Sequence, residues 1–351
     1  MHWRRTISGS LAAITLLAAL GSSAIATNGI AINRASQATY TVAVIGDMPY
    51  GDAKVAAFPQ FIDVINRDPK VDLVAHLGDI KSGSSLCTNE YFESVRHQFD
   101  RLLDPLVYTP GDNEWTDCHR ANNGNWQPTE RLDTIRADFF PVAGQTLGGR
   151  SKTVLTQADD PAHAAYVENV MWMESKVVFA NFNVPGSNDD SVATNPWTGA
   201  WAGDPAQAAE QTARDAADLT WLGKTFETAG SDGAEGVVLM LQADMWDGTH
   251  AALNAYDPFV KAIGDAANTF GKPVLLLVGD SHIFKVDNPF DGSAAFQAIH
   301  PGFTPVAPNI TRIVVEGSTT VANRFEYLRL AIDPKSTDLF SWERVDYTFG
   351  P

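Results

Sequence analysis

Four times along the chain an apolar run ends in Gly-Asp: Gly46-Asp47, Gly78-Asp79, Gly111-Asp112 and Gly279-Asp280. The third is the densest, running Pro110-Gly111-Asp112-Asn113-Glu114-Trp115-Thr116-Asp117-Cys118-His119-Arg120. No helix favours that mixture, and Pro110-Gly111 marks a turn. The fourth continues into Ser281-His282, and another apolar run, Val237 to Leu241, is followed by Gln242-Ala243-Asp244. Four Asp side chains at the ends of four strands would converge on one place. Left unpaired, the carboxylates would repel one another, so positive charge belongs nearby. One strand-end Gly-Asp is ordinary turn chemistry. Four, after four separate buried runs, exceed what turns require.

The elements that must position them follow from periodicity. Tyr40 to Ile45, Val71 to Leu77, Leu106 to Thr109 and Val274 to Val278 are short apolar runs bounded by turn residues, which predicts buried strands. Ala53 to Asn66 places Phe58, Phe61, Ile62 and Ile65 on one helical face, and Tyr91 to Leu103 does so with Phe92, Val95, Phe99 and Leu102. This βαβα order predicts a largely parallel sheet. Ligands gather at the carboxyl ends of such strands, where Gly lets the backbone turn and Asp points into the crevice. Val177 to Phe182 and Val237 to Leu241 read as further strands, and Pro205 to Ala229 as an amphipathic helix. Residues 183–203, rich in Gly, Asn, Asp and Trp, read as a long loop, either a lid or a surface insertion. From Asn309 to Phe349 apolar and polar residues alternate, through Arg312-Ile313-Val314-Val315-Glu316, which predicts antiparallel sheet with one wet face. There is no internal repeat, low-complexity tract or linker.

The chain has 351 residues, 44% of them apolar, enough for a full core. Met1 to Arg5 is a basic head, Leu11 to Leu20 an apolar run short for a bilayer, and Ala24-Ile25-Ala26 a cleavage signature. Residues 1–26 therefore read as a signal peptide, with a retained anchor as the alternative. Residues 27–39 form a polar leader and 40–351 a single domain. The expected location is secreted or periplasmic, with the general and twin-arginine routes both open at Arg4-Arg5. Removing Arg4 and Arg5 leaves 23 basic against 42 acidic residues, a net charge of −19. Such a body repels nucleic acid and anionic membranes but not a phosphate ester if a cation sits in the cleft. Cys87 and Cys118 are the only cysteines. In an oxidising compartment they read as a disulfide contributing roughly 3–4 kcal/mol, with two free thiols as the alternative. Their spacing does not suit metal ligation.

In order and spacing these motifs, over roughly residues 40–332, resemble the calcineurin-like metallophosphoesterases. The resemblance implies a four-layer α/β/β/α sandwich with a metal centre at the strand ends. The departures from the family pattern are systematic. Where the family has D-x-H this chain has Asp47-Met48-Pro49, so one His ligand becomes Pro49. Asp79 falls at the position of the metal-bridging Asp. Gly111-Asp112-Asn113-Glu114 stands where the family has G-N-H-D/E, so Asp112 replaces a ligand Asn and Asn113 the proposed acid His. Gln242 is nearest the position of a ligand His, and Gly279-Asp280-Ser281-His282 replaces G-H-x-H.

Carried over residue by residue, the implied metal ligands are Asp47, Asp79, Asp112, Gln242, Asp280 and His282, a shift from nitrogen to oxygen. Oxygen-rich sets favour hard cations, so one or two ions of Mn²⁺, Mg²⁺ or Ca²⁺ are expected. The alternative is a metal-free network with Lys81 as counter-charge. Asn113 would face a small-molecule phosphate ester, and His119 and Arg120 are candidates for acid and phosphate clamp, with a solvated loop pair as the plainer reading. Lys81 is a second candidate for substrate charge. Cys118 would tie its elbow to Cys87 on the neighbouring one. Two functions stay open: a secreted metal-dependent phosphoesterase, or an inactive relative that binds a ligand or surface partner. Oligomeric state is left open.

Overall fold

The computed structural model describes residues 38–250, 253–302 and 305–350. The expected signal peptide and most of the leader lie outside these residues. Two sheets carry the fold. The first has the order β12-β11-β1-β2-β3, from β1 (Tyr40–Ile45), β2 (Leu73–His76), β3 (Leu106–Tyr108), β11 (Arg324–Ile332) and β12 (Phe340–Thr348). The second has the order β4-β5-β6-β7-β8-β10-β9, from β4 (Leu155–Thr156), β5 (Val170–Glu174), β6 (Val177–Asn181), β7 (Gly236–Met240), β8 (Val274–Val278), β9 (Lys285–Asp287) and β10 (Ile310–Val314).

Alternation along each strand builds the layers. Val42 and Val44 of β1 meet Phe179, Val238, Met240, Leu275 and Leu277 in a core between the sheets. Ala43 and Ile45 point the other way, onto helices α1 (Asp52–Asn66), α2 (Asn89–Phe99) and α3 (Pro128–Phe139). The outer face of the second sheet packs on α5 (Ala206–Ser231) and α6 (Asp257–Phe270). This is the expected four-layer α/β/β/α sandwich.

Register brings the chemistry together. In the first sheet Ile45 lies level with His76, and His76 with Tyr108, so three strands end in one row. In the second, Asn181 pairs with Met240, Met240 with Leu277, and Val278 with Val314. Every elbow with a candidate ligand therefore leaves from one of two adjacent rims.

The tail departs from expectation. β11 and β12 are antiparallel, but β10 runs parallel to β8. Arg312, whose alternation suggested a wet face, is fully buried in ion pairs with Asp244 and Asp287. Charge at a period-two position marks a wet face only when no partner waits inside. No described helix is long and apolar enough to cross a membrane.

Candidate metal centre

Asp47, Asp79 and His282 offer ligand atoms that all lie within 4.8 Å of one another. Asp47 and Asp79 are buried and His282 is half-buried. Both oxygens of Asp47 accept from the Asp280 backbone N–H, at 3.0 and 3.1 Å, and His282 Nε2 stands 3.3 Å from Asp47 Oδ1. His282 Nδ1 is 2.8 Å from Thr319 Oγ1. The first and last elbows are thus stitched together across 233 residues of sequence.

The backbone differs in detail from the simple Gly-turn expectation. It is the Asp that enters the left-handed region, at Asp47 (φ 52°), Asp79 (φ 59°) and Asp280 (φ 67°), with His282 joining at 64°. Asp tolerates this conformation better than most residues, and strain of this kind clusters at functional sites. The neighbouring glycine more often serves proximity: a Cβ on Gly111 would overlap the Asp79 carboxylate and its backbone nitrogen.

Asp79 is heavily bonded. Its Oδ2 accepts from Asn113 Nδ2 at 2.6 Å and Tyr50 Oη at 2.9 Å, and its Oδ1 from the Asn113 N–H at 3.1 Å. Asn113 Nδ2 also lies 3.0 Å from Tyr50 Oη. Glu114 staples the elbow from beneath: its Oε1 accepts from the N–H groups of Gly111 (2.7 Å) and Asp79 (3.1 Å) and from Tyr108 Oη (2.7 Å). The Cys87–Cys118 disulfide joins the neighbouring loops, with both cysteines fully buried.

The second rim adds Asp112's partners. Gln242 Nε2 donates to Asp112 Oδ1 at 3.3 Å, while its Oε1 accepts from the Gly186 N–H. Asp244, two residues on from Gln242, is occupied by Arg312 and by Ser281 Oγ at 2.6 Å. Gln242 is therefore the one that faces Asp112. Gly186 opens α4 (Gly186–Asp190), a single turn wound left-handed, with φ of 57°, 54°, 62° and 53° at Ser187, Asn188, Asp189 and Asp190. Such a turn costs roughly 1–2 kcal/mol per residue. Arg214 pins it through Asp189, Trp197 Nε1 donates to Asp190, and Asn188 Oδ1 accepts from the Ala255 N–H at 3.1 Å.

The remaining candidates sit further out. Lys81 is fully buried and donates to Asn123 Oδ1 (2.9 Å) and the Ser82 carbonyl (3.0 Å); burial lowers its pKa to about 8, against the pull of Glu114 and Asp117. His119 Nδ1 accepts from the Thr198 N–H at 3.0 Å, and burial, then Arg120, lower its pKa to about 4. Arg120 pairs with Asp117 and donates to Asn195 Oδ1 at 3.2 Å. His119 and Arg120 thereby hold the 191–203 loop against the elbow. Trp115 and Trp246 are core residues: Arg214 stacks on the first, and Phe290 packs edge-on to the second. His76, inside β2, is 3.0 Å from the Met48 carbonyl and accepts from the Gly78 N–H at 3.2 Å, holding two elbows.

Sequence reading missed Tyr50, Glu114 as a staple, and Ser187. Tyr50 had a signal, its place three residues after Asp47. Ser187 had none, because nothing in Gly-Ser-Asn-Asp-Asp announces a left-handed turn.

The electrostatics test whether a cation fits. Burial, then Asp112, Glu114, Asp47 and Asp280, push the Asp79 carboxyl well above its ordinary range. Burial, then Asp112, Asp47 and Asp244, do the same to Asp280. Among the described residues no Lys or Arg forms an ion pair with Asp47, Asp79, Asp112 or Asp280; Asp47 has His282. A buried, mutually repelling set of oxygen donors with one imidazole suits a hard divalent cation.

No curated protein matches the chain. A solved structure similar to it is GAP50, the anchor in the inner membrane complex of Plasmodium, at 8% identity and a TM-score of 0.44, over 89% of this chain and 90% of that one. The family model for calcineurin-like phosphoesterases matches residues 40–203, so that stretch of the chain is similar to that family.

Proposed function

We propose that the chain is an exported, metal-dependent hydrolase of small phosphate esters. The observation that carries this reading is the cluster of Asp47, Asp79 and His282 within 4.8 Å, with no Lys or Arg of the described residues paired to its carboxylates. Asp47, Asp79 and His282 would hold one cation, and Asp112, Gln242 and Asp280 border the same space. Such a cation supplies a Lewis acid for phosphoryl oxygens and acidifies water at neutral pH. The chain does the rest. Tyr50 and Asn113 present a hydroxyl and a carboxamide beside Asp79, suited to orienting a phosphate oxygen. Arg120, tied to Asp117, stands as a charge behind the elbow. With Asn113 in place of an acid histidine, esters with good leaving groups are the preferred substrates. The apolar run Leu11 to Leu20 and the disulfide support export.

A second reading has its own observation. Asp79 already accepts three hydrogen bonds, and Pro49 stands where a ligand histidine is expected. That favours an inactive relative that binds a ligand in an ordered cleft.

Elemental mass spectrometry of protein purified without chelator, with turnover of an activated aryl phosphate, tests both. One or two equivalents of Mn, Mg or Ca with turnover, both lost in Asp79→Asn, is expected. No metal and no turnover at saturating Mn²⁺ would sink the hydrolase reading and leave the binding protein.

A further inference from the structure

The least economical piece of backbone in the molecule lies at the rim of the centre. Ser187, Asn188, Asp189 and Asp190 are four consecutive non-glycine residues in the left-handed region, an arrangement local preference opposes. Something must over-determine it, and the contacts say what. Asn188, Asp189 and Asp190 are buried and face away, onto Ala255, Arg214 and Trp197. Ser187 alone of the four is half-buried, and it points at the centre: its Oγ donates to Asp112 Oδ2 at 2.6 Å and lies 3.3 Å from Asp117 Oδ1. Gly186 brings the turn in so close that a Cβ there would stand 2.8 Å from Asp112 Oδ2 and 3.0 Å from Asp280 Oδ1.

Asp112 is therefore held at both ends, by Gln242 on Oδ1 and by Ser187 on Oδ2. A carboxylate fixed in this way keeps one orientation toward a bound cation, as partners of metal ligands commonly do. We propose that Ser187 is a positioning residue for Asp112, and that the left-handed turn exists to deliver its hydroxyl. This rests on the reading of Asp112 as part of a divalent-cation site.

The test separates hydroxyl from backbone. Ser187→Gly removes the hydroxyl and relieves the positive φ; Ser187→Thr keeps the hydroxyl and worsens the backbone fit. Chelator-stripped full-length mature protein is titrated with MnCl₂ by calorimetry, and the metal-free melting temperature is recorded. The expected result is a crossing. Ser187→Gly melts about 1–3 °C higher than the parent yet binds Mn²⁺ roughly 10–100-fold more weakly. Ser187→Thr melts lower yet keeps the parent's affinity within about threefold, a change worth under 1 kcal/mol. Equal Mn²⁺ affinity in the parent and Ser187→Gly would overturn the positioning role while leaving the metal site intact. Loss of affinity in both variants would overturn it too, by assigning the effect to the turn. A parent that binds no Mn²⁺ would overturn the site and this role together. If Ser187→Thr does not fold, Ser187→Ala, which keeps the strain and lacks the hydroxyl, takes its place and is expected to bind as weakly as Ser187→Gly.

Discussion

Two buried acidic centres lie on either side of α4. Around Arg214 gather Asp189, Glu210, Asp215 and Asp218, with the guanidinium fully buried among them and stacked on Trp115. At the strand ends gather Asp47, Asp79, Asp112 and Asp280, with His282 paired to Asp47. Both centres bury charge, but the first contains its own guanidinium, whereas among the described residues no Lys or Arg pairs with the second. Around Arg214 the chain neutralises its own carboxylates; at the strand ends no described Lys or Arg pairs with them. Lys81, the nearest candidate for an internal counter-charge, is directed to Asn123 and Ser82 instead.

Breaking the comparison starts with the largest effect. Arg214→Met leaves the buried Asp189 and Asp218 and the half-buried Glu210 without their cation and is expected to cost about 3–5 kcal/mol, read by urea denaturation. Added Mn²⁺ should not restore that loss, because the Arg214 centre is not a metal site. Replacing Cys87 and Cys118 together by Ser removes a 31-residue cross-link and is expected to cost roughly 3 kcal/mol by the same measurement. Asp280→Asn should act in the opposite direction. In chelator it relieves repulsion with Asp112 and Asp47 and stabilises by about 1 kcal/mol, while Mn²⁺ no longer raises the melting temperature.

The smallest effect is the pH slope. Asp79 and Asp280 have folded-state pKa values raised above their unfolded values, and Asp117 is raised to about 8 by burial and by Asp112. A raised carboxyl binds more protons folded than unfolded, so its stability is present below about pH 4 and is lost as pH rises through the folded value. The metal-free melting temperature should fall from pH 5 to pH 8, and saturating Mn²⁺ should flatten the part owed to Asp79 and Asp280. Asp189 and Asp218 add a slope of the same sign that Mn²⁺ leaves unchanged. A profile indifferent to Mn²⁺ would erase the distinction between the two centres.

Much of this was legible in sequence because it is local. The short apolar runs, the helices between them and the Gly-Asp endings follow from periodicity and turn chemistry, and the strands begin and end within a few residues of expectation. What failed was whatever depended on a distant partner. Arg312 read as wet because Asp244 and Asp287 are invisible from its own strand. His119 and Arg120 read as acid and phosphate clamp or, more plainly, as a solvated loop pair, and the 191–203 loop engages them both.

By itself the sequence determined the layered α/β frame, the four Asp-bearing elbows and the oxygen-rich character of the donors, since each of these is written in a few neighbouring residues. Only the tertiary structure decided that Gln242 and not Asp244 faces Asp112, that Tyr50 and Ser187 reach the centre, and that one acidic cluster holds a guanidinium while the other holds none. The physical reason is that burial and pairing of charge are properties of space: a carboxylate's partner is set by sheet register and by how the two rims meet, not by its neighbours in the chain.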